Sequence, residues 1–283
     1  MTNPKILVTS ATGTTGSALV RQLNAAGIAA RALTRNAANA FNLPYIETVI
    51  GDLGDPASLT AAFAGIEAVY LNVVPGPDAL TQIDNAIAAA RAAGVTMIAK
   101  LSGLYAAPDS PSAIIRMHAE GDARVRNSGI AFSIVQANSF FQNIESQLEG
   151  IKTQGQFYLP LGDSQQSLID AEDIAAVVLR VLTDPTWRNS SLNLTEPQAL
   201  TSNDVAAKLA AASGKPVTYV SISDDAFGQS LRGAGVPDTA AGSLIELFAL
   251  FATGIYSEPT DDVGKVLGRT PTSYDAYARR LFA

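Results

Sequence analysis

Two hydrophobic rhythms alternate along the first half of the chain. Short runs of consecutive apolar, often β-branched residues predict buried strands at Ile6–Thr9, Ala29–Leu33, Tyr45–Ile50, Ala68–Asn72, Thr96–Leu101 and Ala131–Gln136. Longer Ala-rich segments between them predict helices over Thr14–Ala26, Pro56–Ala64, Asp78–Ala93 and Ala113–Asn127. Gly27, Gly94 and Gly129 follow three of these helices, where a C-terminal cap favours left-handed backbone. Strand, helix and strand repeated in this way imply parallel pairing through right-handed crossovers. The expected result is a doubly wound α/β sheet with helices on both faces.

After about Phe140 the rhythm changes. Helices are expected over Ile169–Leu182, Thr201–Ala212 and Asp238–Phe251, with short strands at Leu192–Leu194 and Val217–Val220. Thr201-Ser202-Asn203-Asp204 is a good helix start, with capping hydroxyls and an early acid. No linker, repeat or low-complexity tract separates the halves. The expected organisation is a binding domain over residues 1–140 and a small, mostly helical lobe over 141–283, packed on it as part of one body.

Composition narrows the functional classes. The chain has 283 residues, 47% hydrophobic and 16% charged, which suits a globular protein with a large core. A net charge of −7 argues against broad nucleic-acid binding, which needs a basic face. The absence of cysteine removes disulfides, thiol nucleophiles and thiolate metal sites, and fits a reducing cytoplasm. With one histidine and no metal-like carboxylate spacing, no metal site is expected. The apolar run Leu244–Tyr256 is too short to span a bilayer and contains Glu246, so it reads as a buried helix and no membrane partner is expected.

The chemistry-bearing segment lies between the first strand and the first helix: Thr9-Ser10-Ala11-Thr12-Gly13-Thr14-Thr15-Gly16. In a Rossmann unit this is where a dinucleotide pyrophosphate meets free N–H groups and the positive helix end. Gly13 lets the backbone approach phosphate, Gly16 lets the helix pack close to the strand, and the hydroxyls of Thr9, Thr12, Thr14 and Thr15 are candidate donors. Ser10 stands where the first glycine of such loops is usual.

Charge then selects the nucleotide. Residues 1–46 contain no Asp or Glu but include Lys5, Arg21, Arg31 and Arg35, a local charge of +4 that leaves −11 for the rest. An NAD site would place an acid near the end of the second strand. Arg35 follows that strand instead, with a guanidinium suited to a 2′-phosphate, so NADP(H) is the expected cofactor. The alternative for Arg35 is a solvated surface arginine; Arg21 and Arg31 read as solvated or structural.

These segments together resemble the NmrA-like branch of atypical short-chain dehydrogenase/reductases over nearly the whole chain. Val8–Gly16 is similar to that family's phosphate loop apart from Ser10, and Gly51-Asp52-Leu53 to its adenine-side turn. Lys100-Leu101-Ser102, His118-Ala119-Glu120 and Asn138–Asn143 resemble its strand end and substrate-side segments. Asp170–Ala175 and Leu267–Pro271 resemble a later helix start and its tail. The resemblance implies NADP binding in one of two kinds of protein. One is a reductase of quinones, dyes or similar acceptors; the other is a redox sensor acting through a protein partner without turnover.

No tyrosine has lysine four residues on, so the usual proton-donating dyad is absent. A quinone, dye or imine acceptor needs less acid assistance, which favours a reductase of a small conjugated acceptor. His118, the only histidine, has an ordinary pKa suited to proton donation near neutrality. Its alternative is a packing residue, and only the resemblance raises it to a lining of the nicotinamide pocket. Ser102 is the second catalytic candidate. Lys100 is a cofactor-side or structural residue, and Glu120 and Asp122 read as solvated helix charges. Val73, Val74, Asp52 and Leu53 are expected on the adenine–ribose side, with turn capping as the alternative for Asp52. Tyr105, Phe140 and Asn143 are expected on the substrate side. A homodimer is compatible with these expectations.

Overall fold

The computed structural model describes residues 5–283. By their contacts these form two units, each discontinuous in sequence. The first contains residues 5–108, Met117–Gln136 and Ala171–Leu192; the second contains Asp109–Arg116, Ala137–Asp170 and Asn193–Ala283. The chain thus leaves the first unit near residue 137, close to the expected change at 140, but returns to it over Ala171–Leu192.

The first unit is built on the strands β1 (Ile6–Val8), β2 (Ala30–Thr34), β3 (Ile46–Ile50), β4 (Ala68–Leu71), β5 (Met97–Gly103) and β6 (Ala131–Ala137). Helices α1 (Thr14–Ala25), α2 (Pro56–Phe63), α3 (Ala79–Ala93) and α4 (Ala113–Arg126) separate them. The sheet order is β3-β2-β1-β4-β5-β6-β8, where β8 is Ser190–Leu194. The pairs β1–β2, β1–β4, β2–β3 and β4–β5 are parallel, with Leu7 opposite Arg31 and Val69 opposite Ile98. The reversal at β1, with β2 on one side and β4 on the other, is the topological switch point where open α/β sheets bind ligands.

One face of the sheet is covered by α2, α3 and α4, whose Leu59, Phe63, Ile83, Ile87 and Val125 pack on Leu7, Val69, Ile98 and Ile134. Burying each such side chain contributes about 2 kcal/mol. Helix α1 packs against α6 (Ala171–Thr183), where Arg21 and Gln22 both bond Glu172. Gly94, at φ +75°, closes α3 in the expected left-handed cap.

The second unit holds α5 (Leu148–Gln154), β7 (Gln156–Leu159), α7 (Ser202–Ser213), β9 (Thr218–Ser221), α8 (Asp224–Gly233), α9 (Asp238–Ala252), α10 (Asp262–Leu267) and α11 (Tyr274–Phe282). Strands β7 and β9 pair in parallel as a separate sheet. Its core joins Phe141, Phe157, Leu209, Tyr219, Tyr274 and Tyr277. A capping box at Thr201 and Asp204 starts α7 as expected.

Helix α9 corrects the expectation of a buried apolar helix. Within it only Ala241 and Phe251 are buried; Leu244, Ile245, Leu247 and Phe248 remain half-exposed. Its main helical neighbour, α8, covers only part of a helix that is apolar on most of its faces. No helix among the described residues is long and apolar enough to cross a membrane.

Candidate active site

The carboxyl ends of four neighbouring strands collect most of the expected site residues. In sheet order these are Arg35 after β2, the Ser10–Gly16 loop after β1, Val73 and Val74 after β4, and Ser102 and Tyr105 at and beyond the end of β5. Three strand spacings of ~4.8 Å separate β2 from β5, roughly 14 Å, a span suited to an extended dinucleotide.

The loop after β1 shows why its residues are what they are. Ser10 sits at φ +46°, in the region glycine enters freely, at a cost of about 1 kcal/mol for serine. Its Oγ donates to the Asn72 carbonyl oxygen at 2.8 Å, which offsets that strain. The Ser10 carbonyl accepts from the Gly13 N–H at 2.9 Å. A Cβ at Gly16 would overlap that carbonyl oxygen and come within 2.9 Å of its carbon, so only glycine fits where α1 crosses the loop. Helix α1 starts with no side-chain cap and no acid in its first turn. Its first N–H groups therefore face outward with a positive dipole, as an anion requires.

Of the four threonine hydroxyls expected as donors, two are spent inside the protein. Thr9 is fully buried, and its Oγ1 donates to Tyr70 and Asn72 carbonyls while accepting from the Asn72 N–H at 2.9 Å. Thr15 Oγ1 shares a 2.8 Å bond with the Tyr70 hydroxyl. Thr12, Gly13 and Thr14 are exposed. Asn72 and Tyr70, which pin the loop from β4, were not legible as site residues because they read as strand interior.

Arg35 is exposed and makes no ion pair among the described residues. Arg31, by contrast, bonds three carbonyls of α2 and its end, together with Glu47, and is structural. Asp52 Oδ1 accepts from the Gly54 N–H at 2.8 Å, the turn-capping alternative, and Leu53 lies in the core. Val73 is buried, whereas Val74 is 74% exposed. Tyr105 holds φ +53° and is 39% exposed, an aromatic ring presented on left-handed backbone. Strained non-glycine backbone of this kind concentrates at functional positions.

Beneath Ser102 lies a buried ionic cluster. Lys100 Nζ donates to Asp122 Oδ1 at 2.7 Å and to the Leu101 carbonyl at 3.3 Å. Ser102 Oγ donates to Asp122 Oδ2 at 2.9 Å. The Lys100 and Asp122 side chains are 3% and 2% exposed. Asp122 is therefore not the solvated helix charge expected; it faces inward from α4, and Glu120 alone is exposed. Lys100 is held by Asp122 rather than free toward a cofactor. Burial pulls the Lys100 pKa down, opposed by the Asp122 carboxylate. Gly121 makes the room: a Cβ there would stand 2.9 Å from Lys100 Cε and 2.7 Å from Ile83 Cδ1.

His118 lies one turn before Asp122 on the same face of α4. It is half-buried, and its Nδ1 is buried with no partner. Burial first, and the Lys100 charge second, push its pKa down to about 3. The imidazole is thus neutral at pH 7. The ordinary pKa that would suit His118 to proton donation near neutrality is displaced downward.

In the second unit, Phe140 is half-buried and forms a parallel bridge with Ile169. Asn143 is exposed, and its Nδ2 donates to Ser139 Oγ at 2.9 Å. Among the described residues no group of three or more His, Cys, Asp or Glu side chains is placed to hold a metal ion.

Comparison with known proteins places this geometry in context. The model of the NmrA-like family matches residues 2–277. An NAD(P)H azoreductase of Xenophilus azovorans is 40% identical over 276 residues, covering 97% of this chain and 96% of the relative. The structure of the Escherichia coli NADPH-dependent quinone oxidoreductase in complex with NADPH superposes with a TM-score of 0.86 at 29% identity, covering 98% of this chain and 100% of that one. A Citrobacter sp. triphenylmethane reductase complexed with NADP(H) gives a TM-score of 0.85 at 25% identity, covering 99% and 100%.

Proposed function

The chain belongs to the NmrA-like family, and we propose that it is an NADPH-dependent reductase passing hydride to a small conjugated acceptor of the quinone, azo or cationic-dye class. The observation that carries the cofactor half is the loop after β1. Gly16 is pressed on the Ser10 carbonyl, the start of α1 is uncapped, and Arg35 stands free one strand away with no acid between. These residues fit NADPH: the N–H groups of Thr14, Thr15 and Gly16 would hold the pyrophosphate, and Arg35 the 2′-phosphate. The relatives named above supply the acceptor class.

The dihydronicotinamide, when bound, supplies the hydride. The protein contributes orientation and exclusion of water. Val73 and Val74 offer apolar contact at the end of β4, and Tyr105 offers an aromatic face beyond the end of β5. Neutral His118 gives no proton at pH 7, so a reduced quinone would take its proton from water. An acceptor whose charge is delocalised tolerates this arrangement. The proposed setting is the cytoplasm, where NADPH and reducing conditions coincide with a chain free of cysteine.

The test is NADPH consumption by the purified protein with a panel of quinones, azo compounds and cationic triarylmethane dyes. Acceptor-dependent oxidation, faster with NADPH than with NADH, is expected. Tight NADPH binding without oxidation by any acceptor class would replace the reductase with the sensor.

A further inference from the structure

The buried Lys100–Asp122 pair takes no direct part in hydride transfer, yet it sits under the end of the strand that carries Ser102. From its geometry we infer that Lys100 and Asp122 are positioning residues: they commit the hydroxyl hydrogen of Ser102 and make the site selective for cationic or charge-delocalised acceptors over simple carbonyls. The inference rests on the reductase reading and deepens it.

A serine hydroxyl has one hydrogen and two lone pairs. Ser102 spends its hydrogen on Asp122 Oδ2, while Lys100 occupies Oδ1. Both carboxylate oxygens and all three side chains are withdrawn from solvent, so the donor direction is locked by a charge-assisted bond. A group that reaches Ser102 from the end of β5 would therefore meet it as an acceptor. It meets the Asp122 carboxylate one bond behind it.

Two outcomes follow for hydride acceptors. Hydride added to an isolated ketone or aldehyde converts the carbonyl to an alkoxide, whose localised charge needs a donor at the oxygen. Ser102 offers lone pairs instead. Hydride added to a cationic triarylmethane dye forms one C–H bond and discharges the cation: the two electrons come from the dihydronicotinamide, which becomes the oxidised nicotinamide, and no proton is required. A quinone takes hydride to a delocalised quinolate, which then takes one proton from water. The residues between these groups agree with the assignment. Gly121 removes the Cβ that would displace the Lys100 stem, so the sequence of α4 is fitted to the pair. His118, one turn away, is kept neutral and supplies no alternative proton.

The single variants leave a buried charge unpaired and risk unfolding. The informative variant is the double substitution Lys100→Met with Asp122→Leu, which removes both charges and the acceptor of the Ser102 hydrogen at similar volume, beside Ser102→Ala. Two readouts are needed. The first is the ratio of kcat/KM for a cationic triarylmethane dye to that for an aromatic aldehyde of similar size, each with NADPH. The ratio is expected to fall at least tenfold in the double variant, in which Ser102 regains a free hydrogen. It is expected to fall less in Ser102→Ala, which has no hydroxyl to offer. A ratio unchanged within about twofold in the double variant, with NADPH still oxidised, would overturn the inference while leaving the reductase intact.

The second readout needs neither cofactor nor turnover. The chain has one histidine, so its ring resonance titrates alone in the NMR spectrum of the apoprotein. The His118 midpoint is expected to rise in the double variant, because the Lys100 charge is gone. An unmoved midpoint would show that the pair does not reach the site, and would count against the inference even if no acceptor were ever reduced.

Discussion

The two units handle buried charge in opposite ways. In the first, Lys100 and Asp122 satisfy each other and Ser102 completes the carboxylate. In the second, Glu196 is 1% exposed with Oε2 accepting from the Tyr274 N–H at 3.1 Å, while Oε1 has no partner. The buried Tyr274 hydroxyl is also unpartnered. Burial pushes the Glu196 pKa up to about 7. The paired carboxylate has both oxygens engaged, whereas the half-paired one becomes a titrating group inside a core. This chain fills the hydrogen-bonding capacity of the buried carboxylate under the candidate active site and leaves one oxygen of the second unit's buried carboxylate open.

The largest expected effect breaks the paired charge. Asp122→Ala strands the Lys100 ammonium beside Ile83 and Gly121, and should lower urea-unfolding stability by about 3–5 kcal/mol. The double variant Lys100→Met/Asp122→Leu should cost much less, since no unpaired charge is left. Equal losses would mean that packing, not pairing, holds the cluster.

Next comes pH, where the units should pull in opposite directions. Glu196 moves from a reference near 4.5 to about 7, so the folded state binds the proton more tightly; its contribution is present below pH 4.5 and is lost as pH rises to 7. The loss is about 3 kcal/mol by linkage. His118 moves from 6.5 to about 3, so its contribution is present above pH 6.5 and is lost as pH falls toward 3. Between pH 4.5 and 6.5 the slopes oppose each other. In Glu196→Gln, stability should rise with pH across this window; in His118→Gln it should fall. Denaturant midpoints at several pH values decide, and parallel profiles for both variants would remove the contrast.

Gly16→Ala follows, because its methyl group has no space beside Ser10. A stability loss of about 1–3 kcal/mol is expected, with NADPH binding lost in calorimetric titration. Arg35→Ala should spare stability and weaken NADPH binding by about tenfold to a hundredfold, with NADH binding unchanged. Equal weakening of both nucleotides would remove the 2′-phosphate assignment. Ser10→Gly should shift stability by less than about 1 kcal/mol, since relief at φ +46° and loss of the Asn72 bond oppose each other.

The same contrast explains what the sequence made legible. In the first unit, buried strands read as unbroken apolar runs, and glycine caps such as Gly94 punctuate the helices, so nearly every element stood where periodicity put it. Arg35 was visible because charge along residues 1–46 is one-sided. Asp122 was not, because helical periodicity assigns a face but not a partner; Lys100 lies 22 residues away on another element. The one local sign was Gly121, a helix-interior glycine with no turn to make. In the second unit, α5, α8 and α11 escaped notice because they are short or polar, and their burial depends on long-range partners: Tyr277 on α11 donates to Glu145 at 3.0 Å, 132 residues earlier. For α9 the apolar run was legible as a helix but not as a half-exposed one.

The most direct test of the central claim follows the hydride itself. NADPH deuterated at the transferring position of the dihydronicotinamide is mixed with the protein and a cationic triarylmethane dye, and the colourless product is analysed by mass spectrometry and NMR. The account predicts one deuterium on the central carbon of the product, with no deuterium lost to water. NADPH consumed without deuterium in the product, or no reduction at all with NADPH bound, would contradict hydride transfer to this acceptor class.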